Sequence, residues 1–140
     1  MSDPVVTGQC YCGAVRLEVS AAPRVVSYCH CSDCRRVTGA PFAAFVAFDE
    51  GVVRAVPGWG EPVCHNPGVK RCFCCACGSP LGAVFHYLPD QHYAPIGILD
   101  QAADLPPAPH SHANSALPWL HLTDDLPHVA ASARDALSQA

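Results

Sequence analysis

The sequence has no long apolar run, little charge and almost no clustering of basic residues. Its longest apolar stretch, Ala40 to Phe48, is interrupted by Pro41. That falls far short of the ~20 apolar residues a helix needs to cross a bilayer, so a membrane is not an expected partner. Lys and Arg total 8 against 12 Asp and Glu, a net charge of −4 with neutral histidines. Nucleic-acid-binding faces are ordinarily basic stripes, and here no basic run exceeds Arg35-Arg36 or Lys70-Arg71. Nucleic acid is likewise not expected. The opening residues MSDPVVTGQC carry neither the basic nor the apolar region of a secretory signal, so a cytoplasmic location is expected. Internal repeats and low-complexity linkers are also lacking, and 140 residues is the size of one domain.

What the chain does contain supports a packed core: 50% of its residues are hydrophobic and only 14% charged, unlike a disordered chain. Its 14 prolines and 10 glycines cut it into short segments, which reads as β-rich with many turns. Val15, Leu17 and Val19 alternate with Arg16 and Glu18 as in a half-buried strand. Further strands are expected at Val25–Tyr28, Phe42–Phe48, Val52–Val56, Val69–Phe73, Gly82–Leu88 and Tyr93–Leu99. Ser32–Thr38 reads as a short helix with Ser32 as N-cap. After Pro127, the spacing of Val129, Ala133 and Leu137 predicts a weakly amphipathic final helix. The expected class is mainly β with a short helical C-terminal segment.

Ten cysteines are the loudest feature. In a reducing compartment they point to metal or catalysis rather than disulfides. Their spacing defines three groups: Cys10-x-Cys12, Cys29-x-Cys31-x-x-Cys34 and Cys74-x-x-Cys77. Such spacings suit tetrahedral zinc–thiolate sites. If Cys10 and Cys12 lie in a strand, both face one side while Tyr11 faces the other. The same alternation would pair Cys29 with Cys31 and turn His30 away. Cys74-x-x-Cys77-Gly78 reads as a zinc knuckle whose glycine takes positive φ. Cys10, Cys12, Cys74 and Cys77 would then close a structural zinc site joining distant segments.

Cys29, Cys31 and Cys34 remain, a set with one ligand too few to close a tetrahedron. A zinc ion with three protein ligands keeps a position for water or substrate, as catalytic sites do. A fourth ligand would make the site structural instead. Cys64 and Cys72 stand open as that ligand, whereas alternation disfavours His30 and the knuckle constrains Cys75. Arg35, Arg36, Lys70 and Arg71 flank these groups and offset thiolate charge. Arg35 or Arg36 is also placed to grip a substrate carboxylate bidentately.

Five segments together resemble one family: GQCYCGAVRLEV, CHCSDCRRVTGAPFAAFV, RCFCCACGSPLG, GILD, and a PW pair followed by DDLP. They resemble the GFA family, the glutathione-dependent formaldehyde-activating enzymes and their centromere-protein-V-like relatives. The likeness runs from Gly8 to Pro127, which makes about 8–127 the core of a single domain spanning 1–140. It implies a zinc-bearing β tent, with structural zinc on Cys10, Cys12, Cys74 and Cys77 and catalytic zinc on Cys29, Cys31 and Cys34. It implies a carbon–sulfur lyase that forms or breaks S-hydroxymethylglutathione or a similar thiol adduct, with glutathione as the partner. His110 falls where the family has a histidine ahead of its tryptophan, here Trp119; its own reading is a satisfied structural histidine. Phe42 and Trp119 are candidates to wall the pocket.

Two other functions compete. One is a non-catalytic, zinc-stabilised binding module, which a fourth protein ligand at Cys29–Cys34 would favour. A B-type methionine sulfoxide reductase would need a free redox pair, for which Cys64 and Cys72 are available, but the surrounding motifs are absent.

Overall fold

The computed structural model describes residues 3–131. In chain order its strands are β1 (Val6–Gln9), β2 (Arg16–Val19), β3 (Val25–Cys29), β4 (Ala43–Asp49), β5 (Val53–Val56), β6 (Val69–Phe73), β7 (Pro80–Phe85), β8 (Gln91–Pro95) and β9 (His110–Ser111). One α-helix, α1 (Ser32–Thr38), follows β3. The protein is mainly β, as the turn-rich composition predicts.

The strands form two open sheets. A three-stranded sheet has the order β1-β2-β5, and a six-stranded sheet the order β6-β7-β8-β4-β3-β9. Their facing sides bury Val6, Leu17, Val19, Val26, Val46, Phe48, Ala55, Ala94 and Leu99 in one cluster. On the other side of β4, Ala47 packs with Ala83, Phe85, Leu88 and Tyr93, joined by Phe45. β4 is thus covered on both faces, which explains its unbroken apolar run; a strand with one wet face would alternate. Between the sheets, Gly8 is a necessity. A Cβ there would lie 2.5 Å from the Ile98 carbonyl oxygen, so no side chain fits between β1 and the turn after β8.

Several expected boundaries move. Gly82–Leu88 is a strand only as Pro80–Phe85, because the Leu88 N–H turns back onto the Phe85 carbonyl at 3.0 Å. Tyr93–Leu99 becomes Gln91–Pro95 followed by a 3₁₀ turn, Ile96–Ile98. The expected cap of α1 shifts by one residue. Cys31, not Ser32, is the N-cap: its backbone is extended (φ −66°, ψ 156°) and its sulfur accepts the Cys34 N–H. A cysteine sulfur here does what a Ser or Asp oxygen ordinarily does. The expected C-terminal helix falls largely on residues 132–140, outside the described residues; just before it, His128 bridges His110 in parallel register.

Candidate metal centres and the adjoining cavity

Two turns build the first cysteine group. β1 ends at Gln9, so Cys10 and Cys12 sit in a turn and not in a strand as expected. Their side chains converge because the chain reverses: the Gly13 N–H returns to the Cys10 carbonyl at 3.1 Å, with Gly13 at φ +78°. The second turn repeats the device, with the Gly78 N–H on the Cys74 carbonyl at 2.7 Å and Gly78 at φ +81°. Both glycines hold left-handed backbone that a side chain would strain. Tyr11 points out, 90% exposed, while its N–H bonds the Ser79 hydroxyl across the two turns at 2.9 Å.

The sulfurs meet as a cage would require. Cys10 and Cys12 are 3.6 Å apart, and Cys12 and Cys74 are 3.8 Å apart. Four sulfurs about 2.3 Å from a shared ion at tetrahedral angles lie roughly 3.8 Å from one another. Cys10, Cys12, Cys74 and Cys77 all offer ligand atoms within 4.8 Å of each other. The Val15 N–H reaches the Cys10 sulfur at 3.4 Å and lowers its pKa. The Ser79 hydroxyl lies 3.2 Å from the Cys77 sulfur and pushes that thiol down to about 5.

The second group stands where β3 passes into α1. Cys29 is the last residue of β3, Cys31 is the helix cap and Cys34 is one turn inside. Their sulfurs also lie within 4.8 Å of one another, Cys29 and Cys31 at 3.5 Å. Hydrogen bonds from the Cys29 and Cys34 thiols push Cys31 down to about 2. In turn Cys29 is pushed up to about 11 and Cys34 higher still. One sulfur therefore takes the charge that its neighbours resist, and all three ionise together only around a cation.

Among the described residues no fourth His, Cys, Asp or Glu joins this group. Cys72 is on the opposite face of β6 and packs against the cluster of Cys10, Cys74 and Leu81. Cys64 and Cys75 are exposed, so they are not the small buried residues that spare cysteines usually are.

A cavity of about 480 Å³ opens beside the second group, lined by Cys29, Cys31 and Cys34. Phe45, Phe85 and Tyr93 wall it from the sheet, and Asp33, Arg71, Tyr87 and His112 supply its polar rim. Burial first, and then the charge of the cysteines, raises the Tyr87 phenol. A second groove of about 380 Å³ shares Asp33, Asn66, Val69 and Arg71 with this cavity, and there Arg36 lines the wall. Arg35 lines neither; its guanidinium donates to the Ser115 carbonyl at 2.8 Å. Phe42 lies behind the site, edge-on to Tyr28, and Trp119 is 62% exposed, so neither walls the cavity. Tyr87 and His112 were not read from the sequence. They come from the turn after β7 and the loop after β9, which carry no spacing that announces a site.

His30 turns away from the sulfurs, as strand alternation predicts, into a buried polar network. Its Nε2 lies 2.9 Å from His110 Nδ1, and His110 Nε2 lies 3.0 Å from the Asp124 carboxylate. His110, Asp124 and His128 form a third cluster of metal-ligating types. Its geometry speaks against an ion: the His110 and His128 rings stack at 4.2 Å with 10° between planes, so their nitrogen lone pairs run parallel and do not converge.

The sequence profile of the glutathione-dependent formaldehyde-activating enzyme family matches residues 5–115. The chain belongs to this family. Both cysteine groups and His110 lie within the matched residues; Asp124 and His128 lie beyond them. Among solved structures, a crystal structure of a Rhodobacter sphaeroides protein is similar in fold, with a TM-score of 0.53 at 22% identity over 88% of this chain and 99% of that one. No curated protein matches the chain. Among the described residues no helix is long and apolar enough to cross a membrane.

Proposed function

We propose that this member of the family is a zinc-dependent carbon–sulfur lyase that joins formaldehyde to glutathione, or to a similar thiol, and reverses the addition. The observation that carries the reading is the contrast between the two cysteine groups. One is complete with four sulfurs; the other has three sulfurs and faces a cavity large enough for a small thiol. In this reading Cys10, Cys12, Cys74 and Cys77 hold a structural zinc, and Cys29, Cys31 and Cys34 hold a catalytic one.

The sulfur spacings fit a divalent, thiophilic ion at both places, and the resistance of Cys29 and Cys34 to ionisation fits one at the second. Zinc in the open site supplies Lewis acidity that favours the thiolate form of an incoming thiol near neutral pH. The addition itself balances simply. The thiol sulfur forms a bond to the formaldehyde carbon, the carbon–oxygen π pair moves to oxygen, and the thiol proton ends on that oxygen. The protein's residues hold the partners in place and limit water. Phe45, Phe85 and Tyr93 form the apolar wall, and Arg36 in the adjoining groove meets the far carboxylate of a thiol as long as glutathione. Arg35 has its guanidinium on the Ser115 carbonyl and lines neither space, so in this reading the role falls to Arg36. Reduced cysteines and a thiol partner are consistent with the cytoplasm.

A fourth protein ligand on the second ion would favour the alternative of a non-catalytic binding module; among the described residues the group numbers three cysteines. Calorimetric titration of the zinc-loaded protein with glutathione, followed by ¹³C NMR with labelled formaldehyde, tests the proposal. Binding at or below millimolar glutathione and faster exchange of the adduct are expected. No binding at millimolar glutathione would leave only the fold in common with the family's named activity.

A further inference from the structure

Arg71 projects from β6 into the cavity of the three cysteines. It is the sole lysine or arginine among the residues lining that cavity, and it also lines the adjoining groove. Four of the other arginines are engaged: Arg16 and Arg54 pair with Glu18, Arg24 with Asp49, and Arg35 with the Ser115 carbonyl; Arg36 lines only the adjoining groove. Arg71 has no ion pair among the described residues. Its guanidinium carbon stands 5.4 Å from the centroid of the Phe85 ring. A cation held over a ring is attracted to the ring face and spends no hydrogen-bond donor on it. The N–H fork lies in the guanidinium plane and remains free for a planar anion. Phe85 thus acts as a platform that steadies the side chain, and a steadied fork loses less freedom when it binds.

We infer that Arg71, from inside the cavity, reads the carboxylate of a short thiol substrate, so that the cavity selects carboxylate-bearing thiols over neutral ones. This rests on the thiol-binding reading of the cavity given above. Asp33 lies on the same rim, but it is in the first turn of α1, where a carboxylate already has the helix N-terminus to favour it. The inference therefore rests on Arg71 alone. The competing account is that Arg71 only offsets the charge of the sulfurs. The two accounts differ in a measurable way. An arginine that only offsets sulfur charge would, when removed, change the binding of every thiol in similar proportion. A carboxylate reader would change binding of the carboxylate-bearing thiol alone.

The test uses the zinc-loaded full chain and two short probes, 3-mercaptopropionate and 2-mercaptoethanol, titrated calorimetrically at one ionic strength. The parent should bind 3-mercaptopropionate about tenfold or more tightly than 2-mercaptoethanol, as one charge-assisted contact allows. Arg71→Met keeps an apolar stem on Phe85 and should bring the ratio close to one. Its affinity for 2-mercaptoethanol should stay within about twofold, which also shows that the cavity is intact. Arg71→Lys should keep part of the preference. Lys70→Met removes the neighbouring charge on the opposite face of β6, where Lys70 lines a separate pocket with Trp59 and His92, and should leave the ratio unchanged. An equal loss for both probes in Arg71→Met, or no preference in the parent, would overturn the inference while leaving the thiol site standing. Failure of the parent to bind either probe would overturn the thiol reading of the cavity itself.

Discussion

His30 Nε2 stands 2.9 Å from Nδ1 of His110, and both rings are buried, at 3% and 0% exposure. One carboxylate sets the state of both. Ionised Asp124, its pKa lowered first by the His110 hydrogen bond, can only accept, so His110 Nε2 carries the proton. In the neutral tautomer of His110 its Nδ1 is the acceptor, and neutral His30 donates from Nε2. The remaining His30 nitrogen, Nδ1, has no hydrogen-bond partner among the described residues. Backbone bonds run alongside: the His30 N–H to Ser111 and the His110 N–H to Pro127. The network ties the residue between Cys29 and Cys31 to the chain beyond residue 123.

Replacing His110 with Phe should therefore destabilise the protein although it keeps the ring's size. The His30 ring N–H loses its acceptor and the Asp124 carboxylate loses its His110 donor, keeping the Leu126 N–H; an unsatisfied buried donor costs about 1–3 kcal/mol. Denaturant unfolding measures the loss. In Asp124→Asn the amide can donate or accept, so ¹⁵N NMR should show the His30 and His110 rings leaving a single tautomer. A parent-like melt for His110→Phe together with unchanged ring signals in Asp124→Asn would remove the structural role of the network.

Cysteine replacements should separate the two metal groups. Cys77 closes a cage whose sulfurs come from turns about 60 residues apart in sequence. Cys77→Ser should lower Tm by on the order of 10 °C, since loss of a structural metal is among the few large single-site effects. Cys31→Ser should leave Tm within a few degrees, remove one of two bound metals and abolish activity, because Cys29 to Cys34 is one local segment. Metal analysis and calorimetry of both variants decide the matter. Comparable unfolding by both would make the second group structural.

His92 should produce an acid-sensitive term in stability. Burial against Trp59, 4.5 Å between ring centroids, pushes its pKa down to about 4. The unfolded chain, titrating near 6.5, then binds the proton first. Stability from this residue is complete above about pH 6.5 and is lost as pH falls toward 4, up to about 3 kcal/mol. Acid also releases thiolate-bound metal, so the informative quantity is the difference between parent and His92→Gln. That difference should grow between pH 6.5 and 4. Parallel curves for the two proteins would show that His92 is not the titrating group.

Local chemistry was legible in the sequence wherever neighbours in the chain are also the partners in the fold. The Cys-x-Cys and Cys-x-x-Cys spacings placed every residue of both cysteine groups, because ligands two or three positions apart have little freedom to point elsewhere. The β-rich character, most strand positions and the helix α1 followed from turn residues and short apolar runs in the same way. Even here the cause was partly misread: Cys10 and Cys12 converge through a turn closed by Gly13, not through strand alternation. Only the tertiary structure decided which side chains face the cavity. β6 presents Arg71 to it and Cys72 to the other side, α1 turns Arg36 toward the adjoining groove and Arg35 toward Ser115, and separate loops bring in Tyr87 and His112. It also paired His30 with His110 and Asp124, which come from three segments up to 94 residues apart in number. The reason is physical. A strand or helix period fixes direction only relative to its own axis, whereas a pocket depends on how axes from distant segments are set against one another, and that is determined by packing the two sheets about a shared core.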